Sequence, residues 1–177
     1  MPDGIAIPGA QQPHVLSSID VLLNGRADHA RHVVIVDNVG YYQSSDPLEY
    51  LVDRGVRVTG VSVLGQFAID MLYNDRPWFL DRIRGKGVNF HVFTSVTSIG
   101  ARHVDVRNFE TGGETRIDDV DHVVLSFGNA PRNALYFQLR DAFAVDGGPA
   151  LYRVGDCITP RRVEHAVFEG HKVGRSL

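Results

Sequence analysis

Hydrophobic and polar positions change their period several times along this chain, and the changes mark its elements. The first dozen residues carry Pro2, Gly4, Pro8 and Gly9 with no apolar rhythm and predict a loop. Ser17 or Ser18 then precedes Ile19, Val21, Leu22 and Leu23, the arrangement of a capped short helix that Asn24-Gly25 stops. Val33-Val34-Ile35-Val36 is a β-branched run without alternation, which suits a strand covered on both faces of a parallel sheet. Asp46-Pro47-Leu48-Glu49 predicts a helix start, with aspartate as the cap and proline at the first helical position. Leu48, Leu51 and Val52 form its buried stripe, and Gly55 ends it. Val56 to Ser62 resumes as a strand, so this stretch reads as a βαβ unit.

Residues 66–86 predict mainly helix, interrupted at Pro77, with Trp78, Phe79, Leu80 and Ile83 packing. From Val88 the period shortens to that of strands: Phe90 to Phe93, Val96 to Ile99, His103 to Asn108 and Thr115 to Ile117. A turn at Glu110-Thr111-Gly112-Gly113-Glu114 joins the last two, predicting an antiparallel meander over residues 88–118. Val123-Val124-Leu125 is another buried run, and Ser126-Phe127-Gly128-Asn129-Ala130-Pro131 is a turn. A short helix over Asn133 to Leu139, a strand at Leu151 to Val154 and a helix after Pro160 complete the pattern. Val163, Ala166, Val167 and Gly170 share one face of that last helix.

Composition narrows the picture. The 177 residues are 44% hydrophobic and 22% charged, enough for one core or two small lobes. With 18 basic against 21 acidic residues the net charge is -3, which lacks the basic excess that nucleic-acid binding needs. The longest apolar runs are far too short for a bilayer, and no charged segment followed by an apolar one opens the chain. A single cysteine, Cys157, excludes an internal disulfide or a thiolate cluster. His29 and His32 sit in a polar connector, and His165 and His171, six apart, place their rings on different helix faces, so neither pair reads as a metal site. A cytoplasmic, metal-free protein with no nucleic-acid or membrane partner is expected.

Two turns are candidates for chemistry. The first strand-to-helix turn of a βαβ unit is where a dinucleotide pyrophosphate sits, held by glycine-rich backbone and helix N–H groups. Here it reads Asp37-Asn38-Val39-Gly40-Tyr41-Tyr42-Gln43, with Asp37 where the first glycine belongs and Gly40 out of register. The second strand ends in Gly60-Val61-Ser62, without the acid that reads a ribose. Asn38, Gly40, Tyr41 and Gly128 are the candidate contacts at this edge, Tyr41 for stacking on an adenine, while Asp37 is expected to repel a phosphate and make NAD(P)H binding doubtful. The second turn is Val154-Gly155-Asp156. A carboxylate there accepts hydrogen bonds from ribose or ribityl hydroxyls, which makes Gly155 and Asp156 candidate flavin or ADP contacts. Cys157 beside it reads as a small structural residue or, less simply, as a reactive thiol. No residue stands out as a catalytic acid, base or nucleophile.

Four stretches together resemble the C-terminal region of the family of trimethylamine dehydrogenase, histamine dehydrogenase and the bacterial 2,4-dienoyl-CoA reductases. They are Val15 to Leu22, Val33 to Gln43 with Tyr50-Leu51, Val123 to Asn133, and Tyr152-Arg153-Val154-Gly155-Asp156-Cys157 through Pro160-Arg161 to Ala166-Val167-Phe168-Glu169-Gly170-His171. The resemblance implies an α/β fold: a Rossmann-like FAD/NAD(P)-binding lobe with a central parallel sheet and an antiparallel meander, plus a remnant of a second, flavin lobe. It implies an N-terminal connector and remnant of the flavin lobe over residues 1–30, the NAD(P)-binding-like Rossmann lobe over 31–132 and a C-terminal strand-helix remnant of the flavin lobe over 133–177. Members carry an N-terminal flavin-binding barrel and a glycine fingerprint in the flavin lobe that this sequence lacks. FAD or ADP is therefore expected only with a partner, either a barrel-containing flavoprotein or a second copy.

Overall fold

The computed structural model describes residues 6–143 and 148–177. The chain divides into two compact units, Met1–Gly128 and Asn129–Leu177.

The first unit is built around β2, His32–Asp37, in which every residue is buried. The lack of alternation in its sequence has a direct cause, since both faces of the strand are covered. Val33 and Ile35 enter one apolar cluster with Leu16, Leu48, Leu51 and Phe79. Val34 and Val36 enter a second with Val61, Val104, Ile117 and Val123. β2 pairs in parallel with β3, Arg57–Ser62, on one side and with β8, His122–Ser126, on the other. Two short strands, β1 at Val15–Leu16 and β4 at Asn89–His91, complete a five-stranded parallel sheet in the order β1-β8-β2-β3-β4. The expected meander forms a separate antiparallel sheet of β5, Thr94–Ile99, β6, His103–Asn108, and β7, Glu114–Asp118. The meander begins at Thr94 rather than near residue 88, because Phe90 and His91 belong to β4 and register against Gly60 and Val61. Val104, Val106 and Ile117 carry the meander's buried side into the second cluster.

Helix α1, Ser18–Leu22, starts on Ser17 in a complete capping box with Asp20, and the bonds between the two hold the Asp20 carboxyl below its ordinary range. Helix α2, Tyr42–Val52, begins four residues before the predicted Asp46-Pro47 start, so Pro47 lies inside the helix. Proline has no N–H, and the carbonyl four residues earlier, that of Gln43, loses its helical donor. The hydroxyls of Ser18 and Ser126 supply the replacement, donating to the Gln43 carbonyl at 2.7 and 2.9 Å. Helix α3 covers only Arg76–Ile83 of the predicted 66–86 helix, with Pro77 in its first turn. Phe79 and Ile83 are buried one turn apart, whereas Trp78, expected to pack, is 67% exposed on another side of the helix.

His32 ties the start of β2 to its neighbours and is 3% exposed. A guanidinium only donates, so the Arg57 contact at 2.9 Å makes Nδ1 the acceptor and leaves Nε2–H to donate to Thr59 Oγ1 at 2.9 Å. Burial, and then the Arg57 charge, push the imidazole pKa below its ordinary 6.5, against the carbonyls of Asp118 and Asp119 and the Asp121 carboxylate. Burial opposes the charge on Asp121 as well, but the N–H groups of Arg31 and His32 and the Arg102 guanidinium bring its carboxyl down to about 2. For His32 the unfolded chain binds the proton more readily than the folded one. The neutral ring's contribution to stability is therefore present above pH 6.5 and is lost as pH falls below it. Urea denaturation across that range should show the fall, and His32→Gln should flatten it.

The second unit contains α4, Ala134–Ala142, a 3₁₀ turn at Gly155–Cys157 and α5, Val163–Gly174. The predicted strand at Leu151 to Val154 does not form, and no strand occurs among the described residues of this unit. An isolated extended segment has no ladder partner and so no place in a sheet. Among its described residues only Gly155 is buried. Val163, Val167 and Phe168 on α5 are 76%, 66% and 67% exposed.

Candidate functional site

The turn that joins β2 to α2 lies at the carboxyl edge of the parallel sheet, where open α/β folds place their ligands. Asn38, Gly40 and Tyr41 form the turn, and Gly128 follows the adjacent strand β8. The Val39 side chain is 3.7 Å from where a Gly128 Cβ would stand, and the Asn38 N–H donates to the Ser126 carbonyl at 3.0 Å. The structure thus brings these four candidate residues to one edge. Asn38 is exposed and Tyr41 is half-buried, its ring edge-on to Tyr42 with centroids 4.5 Å apart.

Asp37 does something the sequence did not indicate. Its side chain is fully buried. Oδ1 accepts from the Gly40 N–H at 2.7 Å, the Ser44 hydroxyl at 2.6 Å and, more weakly, the Val39 N–H at 3.3 Å. Oδ2 accepts from the Ala68 N–H at 2.8 Å. A buried carboxylate costs several kcal/mol unless paired, and hydrogen bonds to a charged group each return about 1.5–3 kcal/mol, so four donors hold it in place. The expectation that Asp37 faces and repels a ligand phosphate is corrected by this geometry. The carboxylate is turned inward and occupies the donors itself.

Ser62, at the position where a ribose-reading acid is missing, is buried and structural. Its hydroxyl donates to the Asp37 carbonyl at 3.0 Å and accepts from the Leu64 N–H at 3.1 Å. The segment from Leu64 to Asp75 crosses the turn and is stitched to it by the Ala68 bond and by the Asp70 N–H donating to the Gly40 carbonyl at 2.7 Å. Ala68 adopts φ 53 to aim its N–H at Asp37, a left-handed conformation that a residue with a Cβ seldom takes. Tyr42 donates its hydroxyl to Asp75, and that bond raises the phenol to about 12.

The sequence pattern missed Ser44, Ala68, Ser18 and Ser126 as parts of this edge. A hydroxyl seven residues after a strand-end aspartate was the one local signal; the Ala68 contact is long-range and leaves none.

Gly155 and Asp156 belong to the second unit. Gly155 has φ 69, and the Ala166 Cβ would lie 3.1 Å from any Cβ placed there, so the turn packs directly on α5. The Gly155 N–H donates to Glu169 at 2.7 Å, and Arg161 pairs with the same carboxylate. These two contacts, the amide first, hold the Glu169 carboxyl below its ordinary range. Asp156 is exposed, and its Oδ1 accepts from the Arg161 N–H at 3.4 Å. Cys157 is half-buried and donates its thiol to the Val154 carbonyl at 3.0 Å. No group of three metal-ligating side chains occurs among the described residues, and no described helix is long and apolar enough to cross a membrane.

No protein-family model matches the chain. It is 24% identical over 190 residues to an N,N-dimethylglycine/sarcosine dehydrogenase of Chromohalobacter salexigens, covering 90% of this chain and 27% of that protein. Among solved structures, the 6-hydroxypseudooxynicotine amine oxidase of Pseudomonas geniculata superposes with a TM-score of 0.84 at 30% identity, over 95% of this chain and 25% of that one. Histamine dehydrogenase from Rhizobium sp. 4-9 gives 0.80 at 22% identity, over 92% of this chain and 26% of that one. Thioredoxin reductases share the fold at lower identity. The chain spans under a third of the length of the curated relatives and of the amine oxidase and histamine dehydrogenase structures it matches.

Gly40 has φ 69, and a Cβ there would meet Leu64 Cδ1 at 2.9 Å and Ile69 Cγ2 at 3.1 Å. Gly40→Ala should cost about 1–3 kcal/mol in denaturant-measured stability, through left-handed strain and displacement of the crossing segment.

Proposed function

We propose that this chain, a homologue of the C-terminal nucleotide-binding region of flavin-dependent oxidoreductases of the trimethylamine dehydrogenase and histamine dehydrogenase family, serves as the nucleotide-binding-like portion of such an oxidoreductase. In this reading it works with a flavin-bearing barrel that carries the substrate chemistry. Gly155 and Asp156 contribute to a flavin or ADP site that further protein completes, and NAD(P)H is not a ligand of the first unit.

One observation carries this reading. The unit that holds Gly155 and Asp156 buries almost nothing, while α5 presents Val163, Val167 and Phe168 to solvent. A helix with an apolar face that wide is stable when something covers it. The exposed Asp156 carboxylate is placed to accept from hydroxyl groups, the chemistry of a ribose or ribityl chain. The relatives of this chain are oxidoreductases several times its length. Self-association through the same face is the competing way to cover it.

A second reading, a docking subunit without catalysis, draws support from Glu169, whose carboxylate already takes the Gly155 N–H. The two readings separate on nucleotide binding. The chain isolated by itself should be colourless and without diaphorase activity. Recovered from its native source, it should bring a barrel-containing flavoprotein with it. In that complex Asp156→Ala should weaken FAD or ADP binding about tenfold, the worth of one hydrogen bond to a charged acceptor. A yellow preparation of the chain alone would overturn the need for a partner. A complex whose nucleotide affinity ignores Asp156→Ala would favour the docking subunit.

A further inference from the structure

We propose that Asp37 sets the ligand specificity of the β2–α2 turn by acting as an internal stand-in for a phosphate, which closes the turn to NAD(P)H and to other phosphate esters. The position of the turn rests on the nucleotide-fold reading above, but nothing in the inference depends on a flavin or ADP site at Asp156.

Three independent features converge on it. The first is occupancy. The backbone N–H groups of Val39 and Gly40, which at such a turn point toward a pyrophosphate, both point at Asp37 Oδ1. The Ser44 hydroxyl joins them from the first turn of α2. A phosphate entering here would find its donors taken by a carboxylate of the same sign. The second is cover. Leu64 Cδ1 and Ile69 Cγ2 lie 2.9 and 3.1 Å from where a Cβ on Gly40 would stand, so a group entering beside Gly40 must displace the covering segment. The third is a lock. Ala68 is fully buried and left-handed, and its N–H is spent on Asp37 Oδ2, while the Asp70 N–H is spent on the Gly40 carbonyl. The covering segment is therefore fastened to the turn through the same aspartate that fills it. Repulsion by an exposed carboxylate would fade with salt, but occupancy by a buried one does not.

The arrangement also states what removal of the side chain does. Without the carboxylate, the Gly40 and Ala68 amides and the Ser44 hydroxyl face an empty buried space and keep their need for an acceptor. An inorganic anion of phosphate size satisfies that need.

The test compares the full chain with its Asp37→Gly variant by thermal unfolding in inorganic phosphate, in pyrophosphate, and in chloride of matched ionic strength. The wild type should show no phosphate-specific shift and no NADH binding by calorimetry. Asp37→Gly should unfold at lower temperature in chloride and recover several degrees in phosphate or pyrophosphate. A folded Asp37→Gly with no anion-specific recovery overturns the proposal, as does a wild type that binds NADH or pyrophosphate at this turn. If Asp37→Gly does not fold, Asp37→Asn decides the matter by amide exchange. Its side-chain amine would face the Ala68 N–H donor to donor, so the Ala68 and Asp70 amides should lose protection. Protection unchanged from the wild type would overturn the proposal. Loss of FAD or ADP binding on Asp156→Ala, or its absence, leaves each of these outcomes where it stands.

Discussion

A carboxylate at the end of a fully covered strand is tolerable only where donors converge on it, and in this fold the convergence at Asp37 organises everything around it. Oδ1 gathers the turn and the first residues of α2, and Oδ2 reaches across to Ala68. Three segments are thereby held at one point: the end of β2, the start of α2 and, from further along the chain, the segment that leads to α3. Remove the convergence and the buried charge would cost several kcal/mol, a large part of what a domain of this size has to spare. The interaction is therefore a condition of the fold as much as a feature of the turn.

The sheet that carries Asp37 has two covers of different kinds. Helices α1, α2 and α3 lie over one face and the meander over the other, and β2 feeds both through alternate side chains. This explains why its sequence shows no alternation, and why its polar members are so closely bonded. His32 at one end and Asp37 at the other are enclosed; the His32 ring is met by the Arg57 and Thr59 side chains, and the Asp37 carboxylate by backbone amides and the Ser44 hydroxyl. The hydroxyls of Ser18 and Ser126 belong to the same logic, because they meet the carbonyl that Pro47 leaves without a helical donor.

Much of this was legible in the residues. Buried β-branched runs gave β2 and β8, the glycine-marked turn gave the meander, and the Ser17 cap gave α1. What failed did so where long-range contacts outweighed local propensity. Asp46-Pro47 has every local mark of a helix start, yet α2 begins at Tyr42 because Asp37, Ser18 and Ser126 stabilise the turn before it. Residues 66–75 carry helical spacing but are held in irregular backbone by bonds to the turn. The residues from Leu151 to Val154 have strand composition without a partner strand. At the candidate site the structure places Asn38, Gly40, Tyr41 and Gly128 at one edge of the sheet, as the pattern implied. The pattern misjudged the direction of the one carboxylate that matters there, because a side chain's orientation is a tertiary fact.

A glycine amide at a turn is satisfied by the chain's own carboxylate in both units, at Gly40 and at Gly155, and the difference between the two decides what each can do. Asp37 is sealed, its donors come from three segments, and its departure would unfasten the cover above it. Glu169 is half-buried, holds one amide of Gly155, and is itself held by Arg161 near the surface. A ligand that competes with Glu169 gives up one hydrogen bond and a solvent-screened ion pair, a cost that a nucleotide's other contacts can offset. A ligand that competes with Asp37 must first open a core. In the reading proposed above, nucleotide binding therefore falls to the turn of Gly155 and Asp156, and the unit with the sheet and both apolar clusters serves as scaffold.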